Sequence, residues 1–492
     1  MASSHLNRMY IIGAGFAGRA LANELLAKAI FGEVVAFLDD DLEKIGRPIN
    51  GIPVLGPIRD IARLLRTNPA DEAIIAIPNA GRDYLKDLYS ILKKAGFQRI
   101  RILPGISQII EGDAHLIQTR SIDPQDLLGR NPVAINLKQS LAYLRGKRVL
   151  VTGAGGSIGS ELCRQLLSGG ASRLYLFGHG ENSIYQIDRE LRLLQDEGVG
   201  EKSTLVPIIG DLKDRHYMEF IIGHLKADVV FHTAAYKHVP MMEENPVAAM
   251  ENNLLGTENL IHAARSRGVK RFVHITTDKA VEPVSMYGAS KYLCEHLVLN
   301  AAAEAGRQSS GEAEPHFMVV RFGNVLGSRG SIMPLFQKQI EKGGPVTITH
   351  PDMRRWFMTI PEACSLVLKA GGVGKNGGLY LLDMGEPVRI RDLAEQMIRF
   401  YGFEPETDIK IEYTGLRPGE RIDERLWSDD EVPSETGFGR ILRLDRKAPI
   451  AIDIAALLEK IRPICQFDPN CPGAYRDSKL LHSILKEALP NL

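Results

Sequence analysis

The sequence predicts an α/β protein made of two Rossmann-like, doubly wound parallel-sheet domains in tandem. Short apolar runs alternate with amphipathic segments along the chain, a pattern typical of parallel sheets with helices on their faces. An apolar run followed by closely spaced glycines and a helical segment occurs twice, beginning at Met9 and at Arg148. With 492 residues and 44% hydrophobic content, the chain is long enough for more than one buried core.

Charge and cysteine content exclude several classes of partner. Lysine plus arginine and aspartate plus glutamate each number 60, and the resulting net charge of +0 predicts no nucleic-acid partner. The five cysteines are scattered, which favours a reducing compartment and no metal site. Because the chain has no signal-peptide core and no window of about 20 apolar residues, we expect no membrane span. We expect a cytoplasmic protein, with the inner face of the membrane as one place where it can act.

The first apolar run and its glycines predict a nucleotide site. Met9–Ile12 is predicted as a strand that leads into a G-x-G-x-x-G turn and a helix, and a second strand, Val34–Leu38, ends in an acid. Such glycines let backbone N–H groups approach a phosphate at the helix N-terminus, and the acid can bind a ribose. A Rossmann-like domain that has lost its ligand is the alternative. The residues of this predicted site are Gly13, Gly15, Gly18 and Asp39.

Further apolar runs and a change of composition predict the limits of this domain. Ala73–Pro78 and Ile100–Pro104 are apolar, end at a proline and are predicted as additional parallel strands. From Asp123 to Lys138 the pattern gives way to polar, proline-containing sequence. We therefore expect three parts: a first domain over 1–125, a linker over 126–147 and a catalytic domain over 148–492.

The second glycine-rich segment is a stronger indication of a dinucleotide site. A strand at Arg148–Val151 leads into Thr152–Gly159, whose glycines suit a pyrophosphate, and Ser157 is expected to cap the helix while donating to phosphate. The next strand ends in Gly178–Glu181 without a clean aspartate, so the choice between NAD and NADP stays open. The expected cofactor contacts are Gly153, Gly156, Ser157, Ile158, Gly159, Asp211, Leu212, Ala234, Ala235, Tyr236 and Lys291.

Tyr287 and Lys291 predict hydride-transfer chemistry. A tyrosine and a lysine four residues apart share one face of a helix. A phenol has an ordinary pKa of about 10, and one cation at ~4 Å supplies roughly 4 kcal/mol, or about three pKa units, at an effective dielectric of ~20. Lys291 by itself is therefore expected to bring Tyr287 near neutrality, so that the phenolate takes a sugar hydroxyl proton while hydride passes to a nicotinamide. A chance pair on an amphipathic helix is the alternative.

Thr277, Asp278 and Lys279 are expected to decide which reaction this pair serves. An epimerase needs only one tyrosine as acid and base. A 4,6-dehydratase also needs a base for the hydrogen on carbon 5 and an acid for the hydroxyl on carbon 6. Asp278 and Lys279 are the candidate acid and base, provided that Asp278 is protonated and Lys279 is neutral. The alternative is a buried ion pair that holds both side chains charged.

These motifs are joined by others further along the chain and together resemble one family. The matching segments are Thr152–Gly159, Ala234–Pro240, Thr277–Lys279 with Tyr287 and Lys291, Arg321–Ser328, Arg354–Thr359 and Gly415–Glu420. From about Pro132 to Leu426 the chain resembles the polysaccharide-biosynthesis UDP-N-acetylglucosamine 4,6-dehydratases, an extended short-chain dehydrogenase group. We therefore expect lyase chemistry of this kind on a nucleotide sugar.

The resemblance implies a tightly bound NAD or NADP that is regenerated in each turnover. It implies a UDP-N-acetylhexosamine substrate, with UDP-N-acetylglucosamine as the first choice, that becomes a UDP-4-keto-6-deoxy sugar. It also implies that a portion mainly over 316–430 binds this substrate, and it favours a homo-oligomer. A UDP-sugar 4-epimerase and a non-catalytic NADP-binding sensor are the alternatives. The substrate contacts taken from the resemblance are Lys237, Asn324, Arg355, Arg417 and Glu420.

The N-terminal domain resembles the long branch of this family, in which membrane helices precede a first Rossmann-like domain. The sequence lacks those helices, which leaves open a natural form without them or a truncated chain. It also has Tyr287 where many long-branch members have methionine. The two branches differ in whether carbon 5 is inverted, so the configuration of the product stays open.

Overall fold

The chain forms two compact units, residues 1–136 and 137–492. The computed structural model describes residues 8–27, 33–77, 80–97, 99–103, 120–121, 141–200, 202–308, 315–401, 403–448 and 452–492. Of the predicted linker, residues 126–140 lie outside this described part. Among the described residues, no helix combines the length and the apolar character needed to cross a bilayer.

A five-stranded sheet lies at the centre of the first unit. The strands of this unit are β1 (Arg8–Ile12), β2 (Glu33–Leu38), β3 (Pro48–Ile49), β4 (Ile52–Pro53), β5 (Glu72–Ile75), β6 (Arg99–Ile102) and β7 (Arg120–Ser121). Its helices are α1 (Phe16–Ala27), α2 (Ile61–Thr67) and α3 (Arg82–Ala95). The sheet order is β2-β1-β5-β6-β7, parallel except between β6 and β7. The additional strands predicted from the two apolar runs are β5 and β6.

The core of the first unit joins this sheet to α1. Leu21 and Leu25 lie four residues apart on one face of the helix and are buried against Ile11, Phe37 and Ile74 of the strands. These strands therefore bury apolar side chains against α1, as the apolar runs of the sequence predict.

The second unit contains a nine-stranded sheet and the remaining helices. Its strands are β8 (Arg148–Thr152), β9 (Arg173–Gly178), β10 (Thr204–Ile209), β11 (Val229–His232), β12 (Arg271–Thr277), β13 (His316–Phe322), β14 (Asn324–Val325), β15 (Val346–Ile348), β16 (Arg354–Arg355), β17 (Phe357–Met358), β18 (Leu379–Leu382), β19 (Val388–Arg389), β20 (Ile411–Tyr413), β21 (Glu431–Glu435) and β22 (Ile441–Arg446). Its helices are α4 (Ser157–Ser168), α5 (Glu181–Asp196), α6 (Arg215–Leu225), α7 (Val239–Glu244), α8 (Pro246–Ala249), α9 (Gly256–Ser266), α10 (Met286–Gln308), α11 (Ile332–Glu341), α12 (Ile360–Val373), α13 (Ile390–Phe400), α14 (Ile454–Cys465) and α15 (Ser478–Ala488).

The strand order of the second unit confirms the predicted α/β, doubly wound class. The order is β10-β9-β8-β11-β12-β13-β18-β22-β21, with parallel pairing from β10 to β18 and antiparallel pairing of β22 and β21. The chain winds outward first on one side of β8 and then on the other, so the order reverses between β8 and β11. In open α/β sheets, ligands bind outside the carboxyl ends of the strands at such a reversal.

A buried ion cluster ties α10 to the antiparallel end of this sheet. Arg321 of β13 is only 1% exposed. Its guanidinium donates to Glu295 of α10 at 3.1 and 2.7 Å and to Glu431 of β21 at 2.7 and 3.0 Å. Bidentate contacts of this kind fix both partners in orientation as well as in distance. The position of α10 against the sheet is thus set by a charged contact as well as by apolar packing.

We predict that Arg321→Met destabilises the protein by about 3–5 kcal/mol, because the buried Glu295 loses its counter-ion and Glu431 is left with a longer contact of 3.5 Å to Arg446. Urea unfolding followed by circular dichroism measures this change. The matched control is Arg389→Met, which breaks a contact of 3.0 Å between Arg389, 58% exposed, and Asp392, 39% exposed, at the start of α13. That control is expected to cost under about 1 kcal/mol. Equal losses in the two variants would contradict the role given to Arg321.

Candidate active site

The turn between β8 and α4 requires glycine at two positions. Gly153 has a φ of +69°, and a Cβ built on it would lie 2.8 Å from the backbone of Ala234. A Cβ on Gly159 would lie 2.1 Å from the carbonyl oxygen of Gly153. The turn therefore brings the N-terminus of α4 close to the end of β11. The N–H groups of the first helical turn, which includes Ile158, are the ones expected to bind a phosphate.

Ser157 does not cap α4, contrary to the prediction. The N-cap is Gly156 in an extended conformation, with φ −79° and ψ 171°, and Ser157 is the first helical residue. A capping side chain reaches the N–H groups of the first turn only from the extended N-cap position, which Ser157 does not occupy. Its hydroxyl oxygen instead accepts a hydrogen bond of 3.1 Å from the backbone N–H of Arg329.

Asp211 and Leu212 lie at the carboxyl end of β10, as predicted from the sequence. Asp211 accepts a hydrogen bond of 3.0 Å from the backbone N–H of Lys213 and forms an ion pair of 3.4 Å with its side chain. Leu212 is buried and would lie 3.0 Å from a Cβ placed on Gly256 at the start of α9. Both residues are near the predicted cofactor edge, and their contact with a cofactor stays a prediction.

Asn253 holds the loop after β11, and the sequence analysis missed it. Its side chain accepts from the N–H of Tyr236 at 2.8 Å, donates to the carbonyl of Tyr236 at 3.0 Å and donates to the hydroxyl of Ser290 at 2.9 Å. The loop Ala234–Tyr236 is thereby joined to α10 next to the Tyr287 position. Asn253 lies in a π-helical turn over Met250–Leu255. The available signal was a polar pair of asparagines inside an otherwise apolar helical stretch.

Lys291 does not direct its ammonium to Tyr287 in this structure. The ammonium donates to the carbonyl of Ile275 at 2.8 Å and lies 3.1 Å from Nε2 of His274. Lys291 is 4% exposed, and burial lowers its pKa. The prediction that this cation alone brings Tyr287 near neutrality is therefore wrong for this arrangement, because the strand carbonyl competes for the ammonium.

Tyr287 is a buried phenol whose two polar neighbours shift its pKa in opposite directions. Burial raises the pKa of Tyr287 above its ordinary value, the negative charge of Asp278 raises it further, and a hydrogen bond with Thr277 lowers it. The net pKa shift is upward. This shift favours the neutral phenol. The one proton of the Thr277 hydroxyl is donated to Asp278, so this hydroxyl can stabilise a Tyr287 phenolate only after it turns towards the phenol oxygen.

Asp278 and Lys279 form the buried ion pair that the sequence analysis gave as the alternative. Asp278 is 0% exposed, and its Oδ1 accepts from the hydroxyl of Thr277 at 2.9 Å and from the ammonium of Lys279 at 3.0 Å. Its Oδ2 is buried and has no hydrogen-bond partner within the part of the chain that the structure describes. A Cβ on Gly323 would lie 3.0 Å from this oxygen. A water molecule or a polar ligand atom can satisfy a buried oxygen of this kind.

Glu424 is a further acid in this cluster that the sequence analysis missed. It is buried, and its Oε1 lies 3.6 Å from the Lys279 ammonium and 4.0 Å from the Arg355 guanidinium. Its carbonyl accepts from the indole N–H of Trp356 at 2.8 Å. Lys279 is thus placed between two carboxylates. No local pattern distinguishes Glu424 from the other acids of its segment, so only the fold identifies it.

The predicted substrate residues fall into different environments. Asn324 Oδ1 accepts from Lys279 at 3.3 Å and so belongs to the acid–base cluster. Lys237 donates to the hydroxyl of Ser328 at 3.4 Å, and burial lowers its pKa. Arg355 donates to the carbonyls of residues 421 and 422, at 2.9 Å each, which ties that turn to β16. A role of Arg355 in substrate binding stays a prediction.

Arg417 and Glu420 lie on a separate, largely exposed turn. Glu420 accepts from the backbone N–H of Arg417 at 3.2 Å. Gly419 of the same turn has a φ of +73°, and a Cβ there would lie 2.8 Å from Cβ of Ser285, next to the start of α10. The turn is therefore close to the helix that contains Tyr287, although, among the described residues, neither side chain is hydrogen-bonded to the Asp278 cluster.

The glycine-rich turn of the first unit requires glycine at two of its three glycine positions, and its nucleotide site stays a prediction. A Cβ on Gly13 would lie 2.7 Å from the Ile77 side chain, and one on Gly18 would lie 2.0 Å from the Gly13 carbonyl oxygen, whereas one on Gly15 would meet nothing within 4 Å. Asp39 accepts from the N–H of residue 14 at 2.7 Å and lies 3.2 Å from the ammonium of Lys44. The acid is thus engaged by the loop itself, and its contact with a ribose stays a prediction.

The second unit matches a known protein family over most of its length. A family model described as polysaccharide biosynthesis protein matches residues 149–446. The chain is 43% identical over 436 residues to the probable polysaccharide biosynthesis protein EpsC of Bacillus subtilis (strain 168), an alignment that covers 88% of this chain and 71% of that protein.

Relatives with assigned activities include two kinds of enzyme. The chain is 31% identical over 287 residues to a UDP-N-acetylglucosamine 4,6-dehydratase (inverting) of Campylobacter jejuni, covering 58% of this chain and 79% of that protein. It is 33% identical over 302 residues to a UDP-glucose 4-epimerase of Rickettsia prowazekii, covering 61% and 82%. Among solved structures, it is similar to Pen from Bacillus thuringiensis, with a TM-score of 0.55 and 32% identity over 62% of this chain and 91% of that one.

We predict that Gly153→Ala destabilises the second unit by at least about 1–3 kcal/mol, since a left-handed backbone is strained for alanine. The new methyl group also meets the Ala234 backbone. Urea unfolding is the measurement, and Gly439→Ala is the control, because a Cβ there meets nothing within 4 Å. The control is expected to change stability by under about 1 kcal/mol. A Gly153→Ala variant as stable as the control would show that the turn relaxes without cost.

Proposed function

Because this chain belongs to the polysaccharide biosynthesis protein family, we propose that it is an NAD(P)-dependent 4,6-dehydratase of a UDP-N-acetylhexosamine, with UDP-N-acetylglucosamine as the first choice. The product would be a UDP-4-keto-6-deoxy sugar. The observation that supports this most directly is the buried Asp278, whose Oδ1 is held by Thr277 and Lys279 while Oδ2 is left for a ligand. An acid and a base next to a tyrosine are what a dehydration at carbons 5 and 6 requires.

The turn at Gly153–Gly159 fits the pyrophosphate of a dinucleotide. It opens α4 at the reversal of strand order, and its glycines at 153 and 159 leave no space for side chains. The nicotinamide, when bound, would take a hydride from carbon 4 and return it at carbon 6. The small residues Ala234 and Ala235 lie at the adjacent strand end and would leave room for the ring.

Tyr287 and Thr277 would remove the proton of the hydroxyl on carbon 4. Since burial raises the pKa of Tyr287, the phenolate is scarce but strongly basic once formed. Thr277 interacts with the phenol and donates to Asp278 at 2.9 Å. The hydroxyl therefore connects the tyrosine that acts at carbon 4 with the acid that acts at carbon 6.

The ion pair found between Asp278 and Lys279 is compatible with their roles as acid and base. Transfer of one proton along the contact of 3.0 Å from the ammonium to the carboxylate gives a carboxylic acid and a neutral amine. This transfer leaves the charge of the cluster unchanged and needs no proton from solvent. Asp278 can then protonate the hydroxyl leaving carbon 6 while Lys279 accepts the proton of carbon 5, which restores the ion pair.

A 4-epimerase is the second candidate, because a relative of that name is similar to the chain over 302 residues. Epimerisation requires Tyr287 but no acid at carbon 6. The contacts of the partly buried Lys279 with the buried Asp278, with Asn324 and with Glu424 therefore favour the dehydratase.

We predict that the purified protein converts UDP-N-acetylglucosamine to a product lighter by one water, without net accumulation of reduced nicotinamide. Mass spectrometry and NMR of the sugar nucleotide measure the product. A product of unchanged mass with inverted carbon 4 and an intact hydroxyl on carbon 6 would overturn the dehydratase in favour of the epimerase.

We predict that Asp278→Asn lowers the rate of elimination by on the order of 10²–10⁴, the usual contribution of a general acid. Oxidation at carbon 4 should persist, so absorbance of reduced nicotinamide should build up on mixing with substrate. Asp423→Asn is the matched control, since Asp423 is exposed and lies next to Glu424 in sequence. Elimination at the original rate in Asp278→Asn would remove Asp278 as the acid.

A further inference from the structure

The turn Ser328–Gly330 links the predicted substrate portion of the second unit to its glycine-rich turn, the predicted site of the cofactor. It follows β14, which holds Asn324, and it reaches back to the glycine-rich turn after β8. The backbone N–H of Arg329 donates to the Ser157 hydroxyl at 3.1 Å, and its guanidinium Nη1 donates to the Gly155 carbonyl at 3.1 Å. Arg329 thus forms hydrogen bonds on both sides of Gly156, the N-cap of α4.

The two residues next to Arg329 also fix this turn, through their contacts with Lys237 and His238. Ser328 is 5% exposed and accepts from the Lys237 ammonium at 3.4 Å. Gly330 has a φ of +69°, and a Cβ there would lie 2.4 Å from the His238 imidazole. The turn is therefore fixed between the glycine-rich segment and the loop before α7, and Arg329 stays exposed at its tip.

We propose that Arg329 binds the pyrophosphate of the cofactor and, with Ser157, retains the cofactor between turnovers. This proposal rests on the proposed function, which supplies the dinucleotide. A helix N-terminus with a glycine-rich turn binds phosphates through its N–H groups, and Arg329 lies against this turn through its contacts with Gly155 and Ser157. A guanidinium has five N–H donors in a planar fork that suits phosphate oxygens, so its one contact with Gly155 leaves donors for the anion.

The chemistry of the contacts favours a phosphate over a purely structural role for Arg329. The carbonyl of Gly155 orients the guanidinium without neutralising it, since a carbonyl has no net charge. An exposed cation held beside a helix N-terminus is unfavourable on its own, because the helix dipole is positive at that end. A bound dianionic pyrophosphate would compensate both positive charges.

The test measures cofactor affinity of the cofactor-free protein by isothermal titration, using NAD, ADP-ribose and adenosine as probes. Arg329→Ala is expected to weaken the binding of NAD and ADP-ribose about ten- to hundred-fold, the range for one charge-assisted phosphate contact. Adenosine, which has no phosphate, should bind as to the original protein. Arg329→Lys should recover part of the affinity, because it restores the charge but not the fork.

Lys338→Ala is the matched control, since it removes an exposed cation from the next helix, α11, and leaves the turn intact. It is expected to bind all three probes as the original protein does. The proposal is overturned if Arg329→Ala binds NAD normally, or if it loses adenosine as much as NAD, which would indicate a general disturbance of the fold. Thermal melting of each variant checks that the protein is folded. Product analysis with UDP-N-acetylglucosamine is a separate measurement, so the dehydratase assignment and the Arg329 assignment fail independently.

Discussion

The reversal of strand order between β8 and β11 is the constraint on which the arrangement of this chain depends. At this point the helices leave the sheet on opposite faces, and the carboxyl ends of β8, β11 and β12 face a common crevice. The close approach of Gly153 to Ala234 is a direct consequence, because the two strand ends are hydrogen-bonded neighbours. The glycine-rich turn is distant in sequence from Asp278 and Tyr287, and all three lie near one edge of the sheet for this reason.

Burial shifts the pKa values of Tyr287 and Lys291 in opposite directions. It raises the pKa of Tyr287 and lowers that of Lys291, so that it disfavours the charged form of both. Asp278 and Lys279 instead share a hydrogen bond of 3.0 Å, which compensates for the loss of water around each charge. The crevice thus contains one neutral phenol and one ion pair connected through the hydroxyl of Thr277.

The sequence predicted those features that depend on local spacing. The glycines, the alternating apolar runs and the pair Tyr287 and Lys291 each follow a short-range rule, and the fold class was confirmed. What could not be predicted depends on contacts between distant residues. The direction of the Lys291 ammonium is set by a carbonyl of β12, the engagement of Ser157 is set by Arg329, and Glu424 reaches Lys279 only because the turn at 421–422 is tied to β16. A spacing rule contains none of this information.

The ion-paired Arg321 also limits how this fold can be recombined with related ones. It connects α10, whose first half contains Tyr287 and Lys291, with the hairpin β21–β22 that follows the predicted substrate portion in sequence. In a hybrid that takes this hairpin from a relative, the buried guanidinium of Arg321 would lose its partner unless the new hairpin has a glutamate at the position of Glu431. The smallest portion that can be exchanged is therefore larger than the loops expected to contact the sugar. It includes the hairpin and the helix to which the hairpin is bonded.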